Sequence, residues 1–394
     1  STCQLTFGPT DLYATSDPFV IQYAAGDFNS DGLSDLALCV YGSGSSVDVF
    51  LANGNGTVGR RMTYPVVYGS DPFWLAIADF NNDDHQDIVV MNFNPNSVGI
   101  LFGKGDGTFG AMILLPVVLS EEFVFPPSFR CIASDLNSDG NIDIVFTKSS
   151  NPCLIAILPG YGNGTFAAET IISIGNVGCR LSIAIADFND DDHQDIAIIS
   201  DIDCYVAILV GHGNGSFKTP MTFSTGIYSF PSSIDVNDFN GDGYVDIVVA
   251  NQGNYNIGVF LGKGDGTFGT QITTMMEHTN AVSWIAVGDF NGDGKMDVAG
   301  VCGSERNLLF SSVPTFVIVF VGYGNGSFGQ QMIFPTALYS VDYVVTNDFN
   351  GDGRLDLAIT SSNGGNIAIL LNTCACCALE ISSQAYLSTN DFPG

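Results

Sequence analysis

Basic residues are scarce in this chain. Its 394 residues include 11 Lys and Arg against 41 Asp and Glu, a formal net charge of −30, and a field of that sign repels phosphate backbones and anionic lipid headgroups. Nucleic acid is excluded as a natural partner. Charged residues of both signs make up only 13%, too few for a set of amphipathic helices with solvated outer faces. Long apolar runs are also missing: the longest, residues 308–321, is broken by Ser311, Ser312 and Pro314, short of the roughly 20 residues that a membrane-spanning helix needs. Histidine numbers four, and neither a P-loop nor a nucleophile elbow is present. His212 and His278 lack any metal or triad spacing. The chain opens at Ser1 without Met, basic segment or apolar leader, as a secreted chain does after signal removal and as an excerpt would.

What is abundant is glycine, with 46 residues, and phenylalanine, with 29, in a chain that is 46% hydrophobic. That mixture suits many short strands joined by tight turns, so the expected class is all-β. Ten cysteines, an even number, point to an oxidising compartment, with buried thiols as the other reading for Cys39, Cys131 and Cys302 inside apolar runs.

A nine-residue pattern recurs seven times, starting at Asp27, Asp79, Asp135, Asp187, Asp238, Asp289 and Asp348, at intervals of 51 to 59 residues. It reads D-x-N-x-D-G-x-x-D, with an apolar run on either side. About 18 residues beyond each last Asp lies a glycine turn followed by Phe or Val, as in GDGTF at 105 and GNGTF at 162. Two hairpins per repeat make a four-stranded sheet, which buries both faces only by stacking on its neighbours around a ring. The expectation is a seven-bladed β-propeller over residues 1–377, followed by a tail, 378–394.

Counting 18 residues from Asp356 puts the absent seventh glycine turn at Cys374, and Leu5-Thr6-Phe7-Gly8 matches the residues after such a turn. The last blade is therefore expected to be closed by the N-terminal strand. A disulfide from Cys3 to Cys374, Cys376 or Cys377 would replace the missing hairpin, contributing about 2–4 kcal/mol; a soft metal on the same cysteines is the weaker reading.

Alternate oxygen donors in the nine-residue loop converge on one point, as in the calcium loop of an EF-hand, and hard oxygen ligands mean Ca²⁺. The expected ligands are side chains at positions one, three, five and nine and the carbonyl at position seven. In chain order these are Asp27, Asn29, Asp31, Leu33 and Asp35; Asp79, Asn81, Asp83, His85 and Asp87; Asp135, Asn137, Asp139, Asn141 and Asp143; and Asp187, Asn189, Asp191, His193 and Asp195. The last three copies supply Asp238, Asn240, Asp242, Tyr244 and Asp246; Asp289, Asn291, Asp293, Lys295 and Asp297; and Asp348, Asn350, Asp352, Arg354 and Asp356. Copies two and four carry Asp84 and Asp192 where the others have glycine, so those sites are expected to differ in affinity. Three aspartates in seven loops make 21 of the 41 acidic residues, and up to seven Ca²⁺ would bring the charge of −30 to about −16. Seven equivalent clusters look like scaffold, not one active site, so no enzyme is expected.

The loop, the Phe-Gly turn and the period together resemble the FG-GAP or VCBS repeats of the integrin α-subunit propeller and of many secreted proteins. The resemblance spans nearly the whole chain. It implies calcium between the first two strands of each blade and ligand contacts on the opposite face; integrins fill only some blades, whereas all seven loops match here.

Strand alternation puts acidic loops and glycine turns on one face, hereafter the loop face. Four turns are also N-x-[ST] sequons, at Asn55, Asn163, Asn214 and Asn325, and are expected to carry N-glycans. Two insertions, 119–129 and 303–313, fall on the opposite face and offer apolar and charged groups to a partner. The Lys-Gly-Asp triplets at Lys104 and Lys263 are simply the turns themselves. The sequence thus reads as an extracellular, calcium-binding recognition or adhesion module for a protein or glycan ligand. The alternatives are a subunit of a glycosylated assembly in which copies join through terminal strand, tail or cysteines, and, resting on fold analogy alone, a propeller hydrolase or lyase.

Overall fold

The residues before each acidic loop form an inner strand, and those after it a strand buried along its length, as in Asp195–Ser200. A computed structural model describes residues 5–8, 11–15, 19–42, 44–66, 70–93, 96–115, 131–148, 154–174, 182–277, 281–302, 314–339, 341–361 and 365–374. Among them are 28 strands and no helix, arranged as seven four-stranded antiparallel sheets.

The N-terminal strand is β1 (Asp11–Ala14). Blade one follows with β2 (Phe19–Gly26), β3 (Asp35–Tyr41), β4 (Ser46–Phe50) and β5 (Met62–Pro65); blade two with β6 (Pro72–Ala78), β7 (Asp87–Phe93), β8 (Asn96–Leu101) and β9 (Ile113–Leu114). Blade three holds β10 (Cys131–Ser134), β11 (Asp143–Lys148), β12 (Leu154–Leu158) and β13 (Thr170–Ser173), and blade four β14 (Ile183–Ala186), β15 (Asp195–Ser200), β16 (Tyr205–Leu209) and β17 (Met221–Ser224). Blade five is β18 (Pro231–Asn237), β19 (Asp246–Asn251), β20 (Asn256–Phe260) and β21 (Ile272–Met275); blade six is β22 (Val282–Gly288), β23 (Asp297–Cys302), β24 (Pro314–Phe320) and β25 (Met332–Tyr339). Blade seven combines β26 (Val341–Asn347), β27 (Asp356–Ser361) and β28 (Asn366–Leu370) with β1.

That last sheet closes the ring as the register count expects. Asp11 to Ala14 pair with Ile369 to Asn366, and Phe7 bridges Asn372 as Phe109 bridges Gly103 in blade two. Gly8 N–H donates to the Leu371 carbonyl at 2.8 Å, as Gly110 N–H does to Phe102. Two chain segments thus make one split turn. Cys374 is buried at the place of the turn's first glycine and forms no disulfide with Cys39, Cys131, Cys204 or Cys302. Its expected partner Cys3 lies outside the described residues, as do Cys376, Cys377, the tail and both insertions.

The core lies between blades, not within them. One cluster joins Ile199 and Ile208 of blade four to Ile247 and Val249 of blade five, and another joins Leu38 of blade one to Ile367 and Ile369 of blade seven. At the loop face the aromatic residue at loop position two meets the Phe of the next blade's turn edge-on: Phe28 with Phe109 at 5.2 Å, Phe80 with Phe166 at 5.8 Å and Phe188 with Phe268 at 5.6 Å. Phe7 supplies that ring beside Phe290. Phe188→Ala is expected to cost about 3–5 kcal/mol. For unfolding entropy of about 0.8 kcal/mol per kelvin in a chain this long, thermal scans should show Tm lower by about 4–6 °C; an unchanged Tm would deny these ring pairs a role in holding blades together.

Inner strands β6, β22 and β26 carry Trp74, Trp284 and Tyr343, whose rings lie 4.7–6.2 Å apart. Blades two and six are not neighbours, so these rings meet across the propeller axis and fill it at that level.

Candidate metal centres

Each acidic loop is wound around the carboxylate at its first position. In blade four Asp187 Oδ1 accepts from the Asn189 and Asp191 N–H groups at 3.1 and 3.2 Å, and Oδ2 accepts from Asp192 N–H at 2.7 Å. Asp191 Oδ1 accepts from His193 N–H at 3.0 Å, while Asn189 Nδ2 donates to Asp191 Oδ2 at 2.9 Å. Blades one and seven repeat this around Asp27 and Asp348. Side chains at positions one, three and five therefore face one another in a solvent-exposed loop.

Two positions in every loop adopt positive φ. Position six is glycine in five copies and Asp84 or Asp192, both at φ 64°, in the others, so aspartate does take the bend there. Position four is the second such site: Ser30, Asn82, Ser138 and Asp190 at φ 56–59°, and glycine in the last three copies. The sequence pattern left it out, although Gly241, Gly292 and Gly351 signal it.

The ninth aspartate behaves differently. Asp195 is fully buried; its Oδ2 accepts from Phe188 N–H at 3.0 Å and its Oδ1 from Gly211 N–H at 2.6 Å. All seven copies make the same two bonds, tying acidic loop to glycine turn, down to Asp356 with Phe349 and Asn372. Burial, and secondarily the neighbouring aspartates, outweigh the two N–H donors, lifting Asp35, Asp87, Asp143, Asp195 and Asp246 to about 6 and Asp297 and Asp356 to about 7.

Adjacent loops are coupled. The Phe80 carbonyl of blade two accepts from Gly164 N–H in the turn of blade three at 2.9 Å, and four further junctions repeat the bond. At Gly164, with φ +76°, a Cβ would stand 2.3 Å from the Phe102 ring, so only glycine allows this approach. Asn82 also donates to Asn141 Oδ1 at 3.0 Å, and Ser138 Oγ meets His193 Nδ1 at 3.0 Å, position four of one loop with position seven of the next. The side chain at position seven lies over its own blade's turn, as His85 does at Gly105.

The donor chemistry fits a hard divalent cation. Positions one, three and five offer carboxylate and amide oxygens. The ninth carboxylate has one N–H on each oxygen, leaving further lone pairs. The arrangement is not drawn onto a single point: among the described residues, no three acidic, histidine or cysteine side chains are gathered closely enough to hold a metal ion as they stand. The inward turn of the ninth aspartate and the loop's own hydrogen bonds account for that.

The glycine turns explain the sequons in part. Asn163 is exposed; its Oδ1 accepts from Thr165 N–H at 3.0 Å and from the Thr165 hydroxyl at 2.6 Å. Asn55, Asn214 and Asn325 make the same pair of bonds and are equally exposed. Asp106 and Asp265 do so as carboxylates, with their acidity strengthened by the Thr hydroxyl and N–H. The turn thus selects Asn or Asp followed by Thr or Ser, and Asn163, like its three equivalents, stands in the open.

The FG-GAP-like repeat family matches residues 27–90, 135–198, 187–249 and 238–300, together more than half of the chain. No curated protein matches it in sequence. Among solved structures, an Agrocybe aegerita lectin that recognises non-reducing terminal N-acetylglucosamine is 18% identical, with 88% of this chain and 87% of that one covered and a TM-score of 0.55. BBS1N, solved in complex with ARL6DN, is 11% identical over 93% of this chain and 96% of that one, with a TM-score of 0.60. At such identities the likeness is one of fold.

Proposed function

Because the chain belongs to the FG-GAP-like repeat family, we propose that it is an extracellular recognition module. It is loaded with calcium, has no catalytic role, and takes a protein or glycan ligand on the face opposite its acidic loops. One observation carries the choice of face. On the loop face the repeats spend their polar groups on one another, blade after blade, through the same bonds. The opposite face is built from connections that differ between blades in composition, as DIDC at 201–204 and QGNY at 252–255 do, and unlike loops on a rigid frame are where selective contacts arise. The lectin and BBS1N, both propeller-like relatives in fold, have a sugar and a protein as their respective partners.

Calcium would be held by positions one, three, five and nine with the carbonyl of position seven, and would supply the positive charge that the clustered carboxylates lack. The chain's own residues already order each loop, so the ion would lock the loop face and leave the other free to bind. Secretion and N-glycans at Asn55, Asn163, Asn214 and Asn325 complete the reading, supported by the cysteine count and the exposed turns.

The filament alternative gains no support from its terminal strand, since β1 pairs within its own chain. To test the reading, the chain would be secreted from eukaryotic cells with a signal peptide. Mass spectrometry should find glycans at the four Asn sites, and an immobilised panel of glycans and extracellular proteins should be probed with it. Binding without turnover, abolished by substitutions on the opposite face, is the expected result; product formation, or binding abolished only from the loop face, would overturn it.

A further inference from the structure

The opposite face carries an unusual surface at the junction of blades four and five. Three connections meet there: 201–204, 225–230 and 252–255. Thr225 N–H donates to the Cys204 carbonyl at 3.0 Å, Gly253 N–H to the Ser229 carbonyl at 2.8 Å, and Asn254 Nδ2 to the Ile227 carbonyl at 3.3 Å. A Cβ on Gly253 would stand 2.2 Å from the Tyr228 carbonyl and 2.5 Å from the Phe230 ring, so the loops are packed as closely as glycine permits.

On this fixed base large apolar side chains point to solvent: Ile227 is 81% exposed, Tyr228 73%, Ile202 63% and Phe230 46%, and Tyr255 is exposed as well. The Tyr228 and Phe230 rings lie 6.4 Å apart. Three of the aromatic positions also have left-handed backbone, Tyr228 at φ 58°, Phe230 at 41° and Tyr255 at 51°, a conformation that bulky residues disfavour. Rings that neither fill a core nor suit their backbone are poorly explained by stability.

Acidic residues stand within this junction. Asp201 and Asp203 stand in the first of these connections, and between residues 200 and 277 the only Lys or Arg are Lys218 and Lys263, both beside glycine turns on the loop face. Exposed aromatic faces attract ammonium and guanidinium groups, and the net charge of −30 draws the same partners over distance. A second copy of this chain, or its acidic tail, would meet repulsion here.

We infer that this rim docks a cationic segment of another protein, with Lys or Arg side chains seated on Tyr228, Phe230 and Tyr255. The inference rests on the opposite face being the binding face.

A fluorescein-labelled dodecapeptide rich in Arg and Lys serves as the probe, titrated by anisotropy in 50–300 mM NaCl. The triple variant Tyr228→Asn, Phe230→Asn and Tyr255→Asn keeps the net charge and places a residue tolerant of positive φ at each site. At 150 mM NaCl it is expected to bind about 5- to 20-fold more weakly than wild type, with Tm equal or higher. A pair of loop-face changes, Tyr161→Asn and Tyr323→Asn, is expected to leave binding as it was. Equal affinity for wild type and triple variant would mean that the general field, not the rings, holds the peptide, and would sink the docking surface without touching the choice of face. Weaker binding in the loop-face pair alone would sink the choice of face itself. A triple variant that loses both Tm and binding would assign the rings to stability, and salt-independent capture of neutral glycans at the rim would replace the cationic occupant with a sugar.

Discussion

Protein stripped with a chelator and titrated back with Ca²⁺ is expected to take up about seven ions per chain and to gain about 20 °C in Tm. The expectation combines the seven acidic loops with mass action: each site at a ligand concentration about a hundredfold above its Kd adds about 2.7 kcal/mol, some 19 kcal/mol for seven. With unfolding entropy near 0.8 kcal/mol per kelvin for a chain of this length, that becomes about 20 °C or a little over. Because neighbouring loops share hydrogen bonds, as Asn82 with Asn141 and Ser138 with His193, the gain should come in fewer steps than there are ions. Blades two and four, with Asp84 and Asp192 at the bend, are expected to stand apart in affinity. Calorimetry with atomic-emission counting of bound metal checks all of this; no uptake and no thermal shift would remove calcium from the account and leave the loops as hydrogen-bonded turns.

The second large effect is an inversion of pH dependence. The ninth aspartates titrate near 6 to 7 in the metal-free fold, against an ordinary value of 3.8. Above pH 7 these carboxyls are ionised in folded and unfolded chains alike, and the folded state bears the full cost of burying the charge. Between about pH 7 and 4 the folded chain takes up protons that the unfolded chain does not, so stability rises on acidification and levels off once both states are protonated. Metal-free protein should therefore gain about 5–10 °C in Tm between pH 7.5 and 5. Scans in 0.5 M NaCl, where general repulsion among the exposed acids is screened, separate this contribution from the net charge. Calcium-loaded protein should move the other way, since a proton on the ninth carboxylate competes with the ion. Parallel slopes with and without calcium would mean that the ninth aspartate is no ligand.

Much of this architecture is legible in the residues. Glycine and aspartate at fixed offsets report backbone that most residues adopt less readily, so the loops, turns and blade count can be read directly. The split turn at Phe7 and Asn372 follows from counting alone, because the ring leaves no freedom in where the ends meet. What stays hidden depends on partners far apart in the chain. Trp74 and Trp284 are separated by 210 residues and meet only because the ring brings blades two and six to one axis. The ninth aspartate reads as a ligand like the first, and of its two backbone bonds the one from Gly211 appears only when the turn 16 residues on folds against it. The left-handed backbone of Tyr228, Phe230 and Tyr255 is opaque for the opposite reason: no residue type there advertises it.

The closing seam also sets how the molecule would carry load. β1 and β28 run antiparallel, with Asp11 opposite Ile369, so the segment entering through Phe7 and the segment leaving through Cys374 depart from the same end of one strand pair. Tension applied across them would open that pair rung by rung, concentrating force on one bond at a time, whereas strands loaded from opposite ends resist in shear with all their bonds at once. Under pulling, blade seven should thus yield first and quietly, and the other six sheets, each continuous in the chain, would feel the force only after the buckle has let go.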